Sequence, residues 1–151
     1  MASTTDADRR GSPAPPSPVG PRGGVDVVVV DDDEGMRQAM TRMLQAAGLG
    51  VRPLAGVESL LAGRGDAPVR CWVVDVHLEG RSGLSVLEVL PSVERPPVVL
   101  VSADDSPSLR ATARRHGVPL LTKPFSGHDL LAAVARACGA ARPQSDAGGA
   151  A

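Results

Sequence analysis

The chain has 151 residues and a formal net charge of -1, with 42% hydrophobic and 22% charged residues. That length suits one domain whose core needs neither disulfide nor structural metal, and the near-neutral balance argues against a nucleic-acid partner, which draws a clear basic excess. One Trp, one Phe and no Tyr leave Val, Leu and Ala to build the core and offer few platforms for base stacking.

Residues 1–24 are rich in Pro, Gly, Ser, Asp and Arg. Proline lacks a backbone donor, so Ser12 to Pro18 suits neither a helix interior nor a central strand; the segment reads as a disordered arm. It has no basic start followed by an apolar stretch, as a secretory signal would. Apolar runs such as Val27 to Val30 are too short for a bilayer. A soluble cytoplasmic protein without membrane contact is expected.

Val25 to Val30 then reads as a buried strand. Met36, Ala39, Met40, Met43, Leu44 and Ala47 fall at helical spacing over Glu34 to Ala47, with Gly48 as the stop. The Met stripe reads as core packing; Asp33 and Glu34 suit a solvated helix start. Val51 to Leu54 is a short strand, and Val57 to Ala62 a short helix closed by Gly63. Cys71 to Asp75 is an apolar strand ending on an acid, with Trp72 packed under a helix. Leu84 to Leu90 is helical in pattern and Pro91 ends it. Val98 to Ser102 is a strand; Ser106 and Pro107 open a helix that runs to His116 before Gly117. Leu120 to Thr122 is the last strand. Ser126, with Asp129 three residues on, caps a final helix through Cys138. Residues 139–151 shift to Gly, Ala, Pro, Ser and Asp and read as a flexible tail, leaving 25–138 as the folded domain. Cys71 and Cys138 form no CxxC pair; reduced thiols are expected rather than a disulfide or a thiolate metal site.

Strands alternating with helices through short connections imply a parallel, doubly wound α/β sheet of five strands. Its ligands bind at the carboxyl ends of the strands. Those ends carry Asp31 and Asp32, Asp75, Ser102, and Lys123 with Pro124. Clustered carboxylates repel and need a cation or protons. Hard oxygen ligands suit Mg²⁺. A carboxylate can attack phosphorus to give an aspartyl phosphate, while a metal and a lysine neutralise the phosphoryl oxygens.

Val28-Val29-Val30-Asp31-Asp32 followed by Arg37, Val73-Val74-Asp75 with Ser82-Gly83-Leu84, Val101-Ser102-Ala103, and Lys123-Pro124-Phe125 together resemble the receiver domain of bacterial two-component response regulators, of the chemotaxis and nodulation-regulator kind. The resemblance covers about Val25 to Cys138. It implies a flavodoxin-like fold with strand order 2-1-3-4-5. It also implies that Asp75 accepts the phosphoryl group and that Asp32 and Asp75 bind Mg²⁺ directly, with Asp31 acting largely through water. The backbone carbonyl of His77 would be a further metal ligand. Lys123 would pair with a phosphoryl oxygen, Ser102 would be the switch hydroxyl aided by the Ala103 N–H, and Lys123-Pro124 would be cis. Such a domain is a phosphoacceptor with self-catalysed phosphorylation and dephosphorylation, not an enzyme with a separate substrate. Its partners would be a sensor histidine kinase or phosphotransfer protein and an output protein, and it would act as a monomer or a phosphorylation-dependent homodimer. The chain ends soon after the last helix, so output through protein contacts is expected.

Two positions depart from the family pattern. Glu79 stands where proline is frequent, which predicts a reshaped loop. Leu120 stands where an aromatic residue is usual, which predicts a smaller repacking around Ser102 and Leu120 in place of an aromatic flip. His77 and Asp104 sit where the phosphoryl lifetime is tuned, and His77 could make that lifetime pH-sensitive. Competing readings are a magnesium-dependent phosphohydrolase with Asp33 as its second acid, and a degenerate receiver used only for binding.

Overall fold

Four consecutive valines form the first strand, β1 (Val27–Val30), and all four are buried. β-branched side chains favour extended backbone, and a strand covered on both faces must be apolar throughout. The computed structural model describes residues 25–63 and 68–141. Its further elements are α1 (Glu34–Ala46), β2 (Val51–Leu54), α2 (Val57–Ala62), β3 (Cys71–Asp75), α3 (Ser85–Val89), β4 (Val98–Ser102), α4 (Pro107–His116), β5 (Leu120–Thr122) and α5 (Gly127–Ala141), with a 3₁₀ turn at Ser92–Glu94. The strands pair in parallel in the order β2-β1-β3-β4-β5. This is the doubly wound, flavodoxin-like arrangement expected from the sequence.

Side-chain alternation along the strands sorts the core into two layers. Val28, Val30, Trp72, Val74, Val98 and Leu100 face α2, α3 and α4, meeting Val57, Leu60, Val86, Leu87, Leu109 and Ala113. Their neighbours Val27, Val29, Cys71, Val73, Val99 and Val101 face α1 and α5, meeting Met40, Leu44, Leu130, Ala133 and Ala137. The expectations that Trp72 lies under a helix and that Met40 is core both hold, since each is buried.

Helix ends follow their local chemistry. Asp33 caps α1 by accepting from the Met36 N–H at 3.0 Å. Ser106 caps α4 through the Leu109 N–H at 3.2 Å, with Pro107 in the first turn. Gly117 ends α4 in the left-handed region, at φ 68°, where a Cβ is costly. At α5 the capping box closes both ways: Asp129 N–H donates to Ser126 Oγ and Ser126 N–H to Asp129 Oδ2, each at 3.0 Å.

Some bounds differ from the periodicity. β1 begins at Val27 because Asp26 is tied down at the near ends of three strands. Its Oδ2 accepts from the Gly50 N–H at 2.7 Å, and its carbonyl accepts from Arg70 and Cys71 at 2.8 and 3.2 Å. α3 is confined to Ser85–Val89, since the chain turns at Gly83 before it and meets Pro91 after it. Pro53 lies within β2, opposite Val29, which is tolerated because β2 is an edge strand. The arm at 1–24 and the tail from 142 onward fall outside the described residues, and α5 itself continues through Ala141. Among the described residues no helix is long and apolar enough to cross a membrane.

Candidate functional site

The switch between β1 and β3 lies at the centre of the sheet, and the chain supplies an acid at each of these two strand ends. One carboxylate oxygen from each of Asp31, Asp32 and Asp75 lies within 4.8 Å of the others. Asp31 and Asp75 are buried while Asp32 is exposed, so the cluster opens to solvent on the Asp32 side. Lys123, just beyond β5, reaches across: its Nζ is 3.1 Å from Asp75 Oδ2 and 3.4 Å from Asp31 Oδ2. The Lys123 N–H donates to the Ser102 carbonyl at 2.8 Å, which fixes the lysine against the end of β4. The Lys123-Pro124 bond is cis.

Backbone donors hold each carboxylate. Asp31 Oδ1 accepts from the Asp33 N–H at 2.9 Å, and Asp75 Oδ1 from the His77 N–H at 3.0 Å. Asp32 Oδ2 accepts from the Glu79 N–H at 2.8 Å. Proline at 79 would have no N–H to give, so the glutamate that departs from the family pattern ties the loop after β3 to Asp32.

Charge is unevenly accommodated. Burial pushes the Asp31 carboxyl above the usual carboxylate range; the Asp33 N–H pulls it back, the Asp75 charge adds to the rise, and Lys123 opposes it. Burial works against the Lys123 ammonium, but hydrogen bonds and charge from Asp75 and Asp31 outweigh it and hold its pKa above the ordinary lysine value. Of the three clustered acids, Lys123 pairs with two, and a second cation suits the set.

The remaining sequence candidates surround this cluster. Ser102 is fully buried at the end of β4, and its Oγ accepts from the Asp104 N–H at 2.9 Å. Ala103 follows in an exposed turn. Leu120 is half-buried in β5 and packs on the α2–α3–α4 layer. His77 and Asp104 project from facing loops, with Nε2 4.0 Å from Oδ2 and both side chains solvent-accessible.

Two residues matter more than the sequence reading allowed. Arg37, noted only as part of a motif, donates from Nη1 to the Asp31 carbonyl at 2.7 Å and so braces the β1 end from α1. No spacing rule marks a contact between a helix and the strand end six residues before it. Gly83, likewise noted without a role, lies against β3: its N–H donates to the Val76 carbonyl at 2.9 Å. A Cβ there would collide with the Asp75 carbonyl oxygen and lie 2.8 Å from Val74 Cγ1. Its place in a Ser-Gly-Leu turn was the available signal.

Residues 27–135 match the family model described as the response regulator receiver domain. The chain belongs to this family. Among its relatives, the response regulator protein TmoT of Ectopseudomonas mendocina is 28% identical over 122 residues, covering 80% of this chain and 56% of TmoT. The receiver thus spans about half the length of the curated relatives it matches. The chemotaxis protein CheY4 of Vibrio cholerae superposes with a TM-score of 0.67 at 25% identity, covering 75% of this chain and 98% of that one. A Burkholderia pseudomallei response regulator, solved with a phosphorylated aspartic acid, a calcium ion and citrate, gives 0.66 at 26% identity over 74% of this receiver and 66% of that chain.

Proposed function

We propose that Asp75 accepts a phosphoryl group from a phosphohistidine on a sensor histidine kinase or phosphotransfer protein, and that the phosphorylated receiver signals through changed protein contacts. The observation that carries this reading is the single ammonium, Lys123, bridging Asp75 and Asp31 at 3.1 and 3.4 Å within a three-carboxylate cluster. The similar Burkholderia regulator was solved with a phosphorylated aspartic acid and a calcium ion, which supports the same chemistry here.

The donor set fits Mg²⁺, which takes hard oxygens from one or two carboxylates together with phosphate oxygens. Asp31, Asp32 and Asp75 would hold it, with the His77 carbonyl as a further oxygen; bound there, it supplies charge neutralisation for the phosphoryl oxygens. In the transfer an Asp75 oxygen forms the new O–P bond as the P–N bond to the donor imidazole breaks. The imidazole leaves with the bonding pair and takes up a proton. Lys123 then pairs with a phosphoryl oxygen. A hydroxyl can accept and donate at once, so Ser102 keeps its O–H for the phosphoryl group while accepting from Asp104; the Ala103 N–H adds a second donor. Repacking around Ser102 and Leu120 carries the signal to the surface.

The phosphohydrolase alternative needs Asp33 as a second acid, but Asp33 Oδ2 is engaged in capping α1. Incubation with Mg²⁺ and acetyl phosphate, read by intact mass, tests the proposal. One added phosphoryl group is expected, absent in Asp75→Asn. A gain that survives in Asp75→Asn would overturn the assignment of the acceptor. No gain from acetyl phosphate or from a supplied kinase would leave a binding module without phosphoryl chemistry.

A further inference from the structure

The chain contains two cysteines, 67 positions apart in sequence, and the fold brings them together at the end of the sheet remote from the acidic cluster. Cys71 is the first residue of β3 and is fully buried, whereas Cys138 is half-buried near the end of α5. Both pack in the same core layer. The Cys138 Sγ lies 3.6 Å from the carbonyl oxygen of Arg70, the residue that precedes Cys71. The Cys71 backbone is itself anchored, its N–H donating to the Asp26 carbonyl at 3.2 Å. Both are present as thiols.

We propose that Cys71 and Cys138 form a dithiol modification site, which a low-molecular-weight disulfide of the glutathione class oxidises to an intramolecular disulfide. Cys138, the more exposed sulfur, reacts first: its thiolate attacks one sulfur of the small disulfide, the S–S bond breaks, and one small thiol leaves carrying a proton. Cys71 then gives up its proton and attacks the Cys138 sulfur of the mixed disulfide; the bond from Cys138 to the small thiol's sulfur breaks, and the second small thiol leaves carrying that proton. Two protein thiols are oxidised and one small disulfide is reduced to two thiols. The second step is intramolecular between residues that pack in the same core layer, so a high effective concentration favours it over release of a stable mixed disulfide. The neighbouring Cys138 and burial push the Cys71 thiol up, and Cys71 is buried while Cys138 is not, which leaves entry of the reagent to Cys138. The product is a covalent tie between the end of α5 and the start of β3, elements that already pack together.

The test equilibrates the full chain across a series of reduced-to-oxidised glutathione ratios. Each sample is quenched, alkylated under denaturing conditions and weighed intact, with far-UV circular dichroism recorded before the quench. The wild type should pass from two alkylated thiols to none in a single transition, with no retained glutathione and no covalent dimer. Its dichroism should be unchanged, and dithiothreitol should restore both thiols. Cys138→Ser should keep Cys71 alkylatable at every ratio. Two thiols persisting in the folded wild type, glutathione remaining attached, or thiol loss seen only where the dichroism collapses would each overturn the proposal.

Discussion

At the residue scale the site depends on one charge and one missing side chain. Lys123 is the ammonium shared by Asp75 and Asp31. Removing a charge-stabilising donor of this kind costs roughly 10²–10³-fold in rate. Lys123→Met should slow phosphoryl uptake from acetyl phosphate by about that factor while leaving the fold intact, as followed by intact mass against time. Gly83 permits close approach to β3, since a Cβ would strike the Asp75 carbonyl. Overpacking of this kind costs about 1–3 kcal/mol. Gly83→Ala should lower the urea midpoint accordingly and slow modification of Asp75, because relief of the clash displaces the strand end that carries it. An unchanged midpoint would show that the loop yields without cost.

Among the elements, α5 has the most explicit start signal, and it predicts a pH dependence. Hydrogen bonds from the Ser126 backbone and hydroxyl hold the Asp129 carboxyl below the usual aspartate value of 3.8. A depressed folded-state pKa gives stability that is complete above the unfolded value and is lost as pH falls through the folded one. Asp129→Asn should therefore melt below the wild type at neutral pH and converge with it as pH falls below about 4, which flattens the acid limb of its melting curve. Ser126→Ala removes the other half of the box and should cost about 1 kcal/mol, measured by thermal melts at pH 7. Caps of this sort were readable in advance: Ser106-Pro107, Gly117 and the Ser126–Asp129 pair stand where local chemistry puts them. So were the valine-rich strands, whose burial on both sides leaves no polar positions. The ends of β1 and α3 were not readable, because they are set by Asp26 reaching Gly50 and by the turn at Gly83. Both are contacts between segments that no local pattern announces. The acids at the strand ends were visible because strand ends can be counted. Arg37 was missed because its partner is a backbone carbonyl that no side-chain spacing marks, and the Glu79 N–H because its partner is a carboxylate across the fold.

Over the whole molecule, the acidic cluster sets stability against charge. Asp31 is buried beside Asp75 and ionises reluctantly, so without a divalent cation its negative charge opposes folding. Asp31→Asn keeps an oxygen for the Asp33 N–H and drops that charge. In chelator the variant should melt above the wild type. With Mg²⁺ the order should reverse under the proposed metal site, because a ligand that binds only the native state raises its stability and the variant would lack one charged oxygen of the acidic group. Differential scanning calorimetry with and without Mg²⁺ checks both halves; equal Mg²⁺-induced shifts in the two proteins would remove Asp31 from the metal site. The β2 margin of the sheet has its own consequence. Leu54 turns its carbonyl inward to the Asp31 N–H, and successive residues of a strand alternate the direction of their hydrogen-bonding groups. Pro53 therefore points its donorless nitrogen outward, and it is exposed beside the equally exposed Arg52. A second chain seeking to extend the sheet there by strand addition meets a position without an N–H next to a positive charge, the arrangement that discourages edge-to-edge aggregation.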